Sequence, residues 1–345
     1  MASDSEMARF DPQKAYVPQG KVFLDDGREV QLLHYVYSRP DVDQLRGSPA
    51  KVLEAIDEYA RTRQYLMNVG EHKGAIVTKL IGETRPQVMA RAPLPSRYVC
   101  RTDSLQVELG GYVGYSAILF GAALRQAGGR RYLSLERNPE FAAVASSLVD
   151  LAGLGAVVRV VVGPSPDSLR RLHSRGDLEA IDLLFLDHYK PAYLPDLKLC
   201  ERLGLIRPGA VLAADNVINP GNPPYLDYVR GSVAAKTARL AADGTQGFAD
   251  RHARQYEGRE GVEKLDLETR GDPALVYASR LVESFEPTGV RDGIEITKCI
   301  GHGDTLRNPF VRPGPPRDGC PTSAQPGPTP ISLWFRPRLH STETP

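Results

Sequence analysis

Five short apolar runs recur through the middle of the chain, each closing on an acid or a turn and each followed by residues with helical spacing. They occupy 105–109, 131–136, 157–162, 181–187 and 210–215, and the helical stretches between them occupy 115–126, 139–151, 167–173 and 194–203. Apolar residues in these runs are consecutive rather than alternating, which is what strands covered on both faces require. Strand and helix in alternation predict a parallel sheet flanked by crossover helices. Asn138 followed by Pro139 marks a helix start, the amide as cap and the proline in the first turn. Two further runs, 275–285 and 293–300, predict an antiparallel edge, the second with Ile294, Ile296 and Lys298 alternating with their neighbours. Upstream, Val52, Leu53, Ile56, Tyr59 and Ala60 predict a helix over 49–67 packed on the sheet. The fold class expected is therefore α/β, doubly wound and Rossmann-like, with about seven strands, mostly parallel with an antiparallel edge strand.

Composition limits what such a fold does. With 43 Lys and Arg against 42 Asp and Glu, the formal net charge is +1, so no global field gathers nucleic acid or an anionic membrane. The first ten residues carry acids where a secretory signal has bases, and no apolar run reaches the length of a spanning helix, so a soluble, cytoplasmic protein is expected. Cys100, Cys200, Cys299 and Cys320 lie far apart without C-x-x-C spacing, which argues for free thiols. Three segments break the pattern: a loop insertion over 85–104, a charged insertion over 231–280, and residues 301–345. That last stretch holds 10 prolines and 5 glycines in 45 residues and is expected to be a disordered tail after a domain spanning 1–300.

The first strand ends in Glu108-Leu109-Gly110-Gly111-Tyr112-Val113-Gly114-Tyr115-Ser116 and feeds a helix, a loop in which backbone and ligand can approach closely at Gly110. It is not the G-x-G-x-x-G fingerprint, because Leu109 and Tyr112 stand where that pattern needs glycine. Taken alone it also suits an ordinary strand-to-helix turn. Glu136, ending the second strand, is the acid that can accept from both ribose hydroxyls of a nucleoside. Glu108 would repel a nearby phosphate, which favours a cationic ligand such as S-adenosylmethionine over NAD. The fourth and fifth strands end in Asp187-His188-Tyr189-Lys190 and Asp215-Asn216. Strands about 4.8 Å apart bring Asp187, Asp215 and Asn216 together, three hard oxygen ligands that suit Mg²⁺ and leave positions for a bidentate substrate. Lys190, beside that ion, would have its pKa lowered toward useful base strength. His188 suits cofactor contact better than ligation.

Together these residues resemble the S-adenosylmethionine-dependent catechol O-methyltransferases. The blocks that carry the resemblance are Met67-Asn68-Val69-Gly70, Glu108 to Ser116, Phe185 to Asp196, Ala214-Asp215-Asn216-Val217, Pro220-Gly221 and Val229-Arg230-Gly231-Ser232, while 26–47 resembles the N-terminal extension of fungal members. The resemblance implies that Met67, Val69, Glu108, Tyr112, Ser116, Glu136, Ser165 and His188 surround the cofactor, with Tyr189 stacking where the family usually has Trp. It implies Mg²⁺ at Asp187, Asp215 and Asn216, Lys190 as base, Glu286 holding the second hydroxyl of a diphenol, and Tyr65 and Pro220 as an apolar gate. Two departures stand out: Pro166 replaces an amide that contacts adenine, and Pro287 replaces a Tyr beside the acceptor. The expected activity is Mg-dependent methylation of a small diphenol by a monomer. The competing readings are a non-catalytic S-adenosylmethionine-binding relative and a nicotinamide-dependent oxidoreductase, and the second leaves Asp187, Asp215 and Asn216 without a role.

Overall fold

A computed structural model describes residues 9–20, 26–84, 105–241, 265–266 and 268–303. The expected loop at 85–104, about half of the charged insertion and nearly all of the expected tail lie outside the described residues. Four helices come first: α1 Arg28–Tyr37, α2 Val42–Leu45, α3 Pro49–Thr62 and α4 Gly70–Glu83. Strand and helix then alternate through β1 Leu105–Leu109, α5 Tyr115–Gln126, β2 Arg131–Glu136, α6 Pro139–Leu151, β3 Val158–Val162, α7 Ser165–Ser174, β4 Leu183–Leu186, α8 Tyr193–Arg202 and β5 Val211–Ala214. After a π-type turn over Val217–Gly221 come α9 Pro223–Val229, α10 Val233–Ala241 and the long hairpin β6 Leu275–Phe285 and β7 Arg291–His302.

Local chemistry accounts for the boundaries. The Asn138 side chain accepts from the backbone of Glu140 at 2.9 Å, which starts α6 at Pro139 as the sequence predicts. Ser48 and Pro49 start α3 in the same way. The helix expected to reach residue 67 ends at Thr62, because Arg63 leaves helical geometry (φ −121°, ψ −76°). That break frees Tyr65 and Met67 to enter the ligand cavity. Helix α4 goes unread in the sequence because its first turn, Gly70-Glu71-His72-Lys73-Gly74, lacks an apolar stripe.

The strand order is β3-β2-β1-β4-β5-β7-β6, with β1 to β5 parallel and β7 antiparallel to both neighbours. Every residue of β1, β4 and β5 is buried, as continuous apolar runs require. One apolar cluster, around Leu32, Ile56, Val77 and Phe120, covers one face, and another, around Leu169, Leu197, Leu212 and Tyr225, covers the other. The chain winds outward from β1 through β2 to β3, then returns to β4, so the order reverses between β1 and β4 and opens a crevice at their carboxyl ends. Among the described residues no helix is long and apolar enough to cross a membrane.

Candidate active site

A cavity of about 1290 Å³ occupies that crevice. Its floor is backbone. Gly110 has φ +96°, and a side chain there would collide with the carbonyl oxygen of Asp187, so the loops leaving β1 and β4 touch main chain to main chain. One oxygen of Glu136 accepts from the Tyr112 backbone N–H at 2.7 Å and the other from that of Asn138 at 2.8 Å. This clamp sets Glu136 on the cavity wall, beside Gly110, Tyr112 and Ser116. The Tyr112 hydroxyl donates to buried Glu29 at 2.7 Å, which ties the loop to α1.

Beyond β2 the wall carries Ser165 and His188, both held by Asp196. Ser165 donates to its carboxylate, and His188 Nε2 lies 3.0 Å from it while the imidazole stacks on Tyr193 at 4.9 Å. Met67, Val69 and Tyr189 complete this part of the wall. Glu108 does not reach it. The side chain is fully buried behind Gly111, where Tyr132 donates to one oxygen at 2.8 Å while the other has no hydrogen-bond partner. Burial pushes its pKa up to about 7. Glu108 lies within β1, its side chain on the sheet face it shares with Tyr132 of the neighbouring strand, and the cavity lining begins only at Gly110.

The other half is built from side-chain charge. Lys190 Nζ donates to Asp187 Oδ1 at 2.9 Å and to the Tyr193 hydroxyl at 2.8 Å, and that hydroxyl lies 3.2 Å from the Asp215 carbonyl oxygen. Asn216, in the left-handed region at φ +58°, donates its side-chain amide to Glu286 at 2.5 Å and to Asp292 at 2.9 Å. Lys73, completely buried on α4, reaches Asp215 at 2.7 Å, Glu286 at 2.6 Å and Asp292 at 3.0 Å. Burial opposes the Lys73 charge, but the three carboxylates outweigh it and hold its pKa well above the ordinary lysine range. Burial likewise pushes Asp215 and Glu286 above the usual carboxylate range, with Lys73 pulling the other way.

Glu286 sits at the start of the β6–β7 turn, its N–H donating to Val290 at 2.7 Å. The following Pro287 packs on Gly70, where φ is +71° and a side chain would collide with the proline ring. Tyr65 and Pro220 line the cavity in the company of Glu286. Apart from Glu108, then, the residues singled out from sequence converge on one surface. Those missed are Lys73, Asp196, Glu29 and Asp292. Lys73 left a trace: it lies four residues before Val77 and eight before Ile81, on the buried face of α4, where an unpaired lysine has no reason to be.

The donor atoms here fit a hard cation and a cationic nucleoside. Asp187, Asp215 and Asn216 offer two carboxylates and, with the amide nitrogen turned to Glu286 and Asp292, one carbonyl oxygen. Among the described residues no three His, Cys, Asp or Glu side chains form a metal cluster, and this set of two acids and an amide does not require one. For the nucleoside, the Glu136 carboxylate lines the cavity beside the Gly110 loop, and Glu108 keeps one buried oxygen without a partner close behind that loop.

The chain is similar to known methyltransferases. A family model described as a methyltransferase domain matches residues 107–217. Catechol O-methyltransferase of Mus musculus is 40% identical over 217 residues, which cover 62% of this chain and 72% of the relative. The Bos taurus catechol O-methyltransferase is 38% identical over 215 residues, covering 62% and 71%. Among solved structures, the O-methyltransferase TomG from Streptomyces achromogenes, in complex with SAM, has a TM-score of 0.45 at 20% identity, covering 81% of this chain and 100% of that one.

Proposed function

This chain belongs to the catechol O-methyltransferase family and is an S-adenosylmethionine-dependent O-methyltransferase, and from that premise we propose that it methylates one hydroxyl of a catechol-like diphenol with the aid of Mg²⁺. The observation that carries the proposal is the sharing of one cavity by Asp187, Lys190, Asp215, Asn216 and Glu286 with the Gly110 loop and Glu136. When bound, S-adenosylmethionine supplies an activated methyl group and Mg²⁺ supplies Lewis-acid stabilisation of an acceptor oxygen.

The chain's own part is largely positioning. Glu136 accepts from the ribose of the donor, while Met67, Tyr112, Ser116, Ser165, His188 and Tyr189 enclose it. Asp187, Asp215 and Asn216 hold the ion. Orienting two well-aligned reactants supplies roughly 7–11 kcal/mol of the barrier reduction. Lys190 Nζ, steered by Asp187 and Tyr193, takes the proton of the hydroxyl that is methylated. Glu286 accepts from the hydroxyl that is not, and Tyr65 and Pro220 pack against the ring.

A diphenol and the matched monophenol test this directly. The monophenol lacks the second hydroxyl that Glu286 would accept from, and losing a hydrogen bond that a site is built to make discriminates by up to roughly 10⁴. The expected result is methyl transfer to the diphenol, barely any to the monophenol, and loss of turnover in EDTA with S-adenosylmethionine still bound. Comparable kcat/KM for the two acceptors, or full activity in EDTA, would overturn the proposal.

A further inference from the structure

The cavity continues past Glu136. Strand β3 lies beside β2, about 4.8 Å away, and the wall follows the turn from β3 into α7 through Ser165, Pro166 and Arg170. There it meets Leu265 and Asp266, a stretch of chain 96 residues beyond Arg170. A base attached to a ribose held at Glu136 would lie along this part of the wall.

Asp266 is fixed in place. The Arg170 guanidinium donates to its Oδ2 at 2.5 Å, the Thr269 hydroxyl to the same oxygen at 2.7 Å, and the Thr269 N–H to Oδ1 at 3.0 Å. These donors hold the carboxyl below the usual carboxylate range, the Thr269 hydrogen bond being the largest cause, so it is an ionised acceptor. An ionised carboxylate has about four lone-pair positions. Among the described residues three are taken, which leaves one on Oδ1. Among the described residues of this stretch the other side-chain acceptors are the Ser165 hydroxyl oxygen and Asp167. Pro166 has neither an N–H nor a polar side-chain atom, and Ser165 gives its hydroxyl hydrogen to Asp196. Asp167, the other carboxylate nearby, is mostly exposed and approaches Arg170 only at 3.9 Å. A wall carrying a fixed, ionised acceptor selects a base that presents a hydrogen-bond donor.

We propose that Asp266 determines specificity at the donor site, its Oδ1 accepting from the exocyclic amino group of the adenine ring. The proposal rests on the S-adenosylmethionine reading above and adds to it the atom that reads the base. Hypoxanthine carries a carbonyl oxygen at that position and would face the carboxylate with like partial charge.

Calorimetric titration of the full chain with S-adenosylhomocysteine and with its hypoxanthine counterpart, S-inosylhomocysteine, tests it. A hydrogen bond to a charged group corresponds to a preference of about tenfold to a hundredfold for adenine. Asp266→Ala is expected to abolish that preference by weakening adenine binding alone, whereas Asp167→Ala keeps it. Should Asp266→Ala melt early, Asp266→Asn keeps an acceptor for Thr269 without the charge and is expected to lose most of the preference. An Asp266→Ala variant with the wild-type preference, a wild type with no preference, or an Asp167→Ala variant that loses it would each overturn the assignment. Wild-type protein that binds neither compound would instead overturn the donor reading beneath it.

Discussion

The two halves of the cavity are built on different principles. Around β1 and β2 the position of Glu136 is set by backbone N–H groups of Tyr112 and Asn138, and the close approach of two loops at Gly110 is a contact between main chains. Around β4, β5 and the β6–β7 hairpin, every functional group is held by another charged or polar side chain: Lys190 by Asp187 and Tyr193, Asn216 by Glu286 and Asp292, and three carboxylates by Lys73. The difference teaches where the molecule is tolerant. A backbone-held group survives changes in its neighbours, whereas removing one member of a buried ion cluster strands the others without compensation.

The largest effect separating the halves is expected at Lys190. Lys190→Ala should lower kcat by about 10²–10⁴ while the dissociation constant for S-adenosylmethionine hardly moves, because the base acts on the acceptor side alone. Lys190→Arg should not recover the rate, since a guanidinium does not give up its proton near neutral pH. Steady-state kinetics beside calorimetry would break the comparison if the arginine variant turned over normally, or if cofactor binding fell in step with kcat.

Next in size comes the cluster's own stability. Lys73→Met leaves Asp215, Glu286 and Asp292 buried without their shared cation, a loss expected to cost about 3–5 kcal/mol. Adding Asp292→Asn removes one of the stranded charges and should recover part of that. Urea unfolding of the single and double variants measures it, and a double variant no more stable than Lys73→Met would mean that the four groups do not act as one.

The smallest effect belongs to the backbone-held half. Burial raises Glu108 from its ordinary 4.5 to about 7, so between those values the folded chain keeps a proton that the unfolded chain has released. Its contribution to stability is therefore fully present below pH 4.5 and is lost as pH rises through about 7, a change of about 3 kcal/mol. Glu108→Gln removes that dependence, so the fall in Tm between pH 5 and pH 8 should be shallower in the variant. Equal slopes in the two proteins would show that Glu108 does not carry the proton.

Legibility from sequence followed the same division. Strands β1 and β2 and helices α5 and α6 run over the stretches the apolar periodicity marks out, because doubly covered strands and capped amphipathic helices write their burial into consecutive residues. Strand β7 runs from Arg291 to His302, beyond the predicted 293–300, because pairing with β6 extends it through residues with no periodicity of their own. Helix α4 escaped for a related reason: its first turn faces a cluster of acids instead of an apolar core, and a buried lysine looks like a surface residue until its partners are known.

What the sequence determined by itself is the alternating α/β order and, through it, which residues end the strands: Glu136, Asp187, Asp215 and Asn216 stand at strand ends because apolar runs stop there. What only the tertiary structure decided is which of those ends meet and what faces them. Lys73 and Glu286 lie 213 residues apart along the chain and 2.6 Å apart in space, while Glu108, two residues before Gly110, is turned away from the cavity. Periodicity records whether a residue is buried. It does not record against what, since burial is a property of one residue and its neighbours, whereas an ion pair across the fold depends on the packing of helix α4 against the far hairpin.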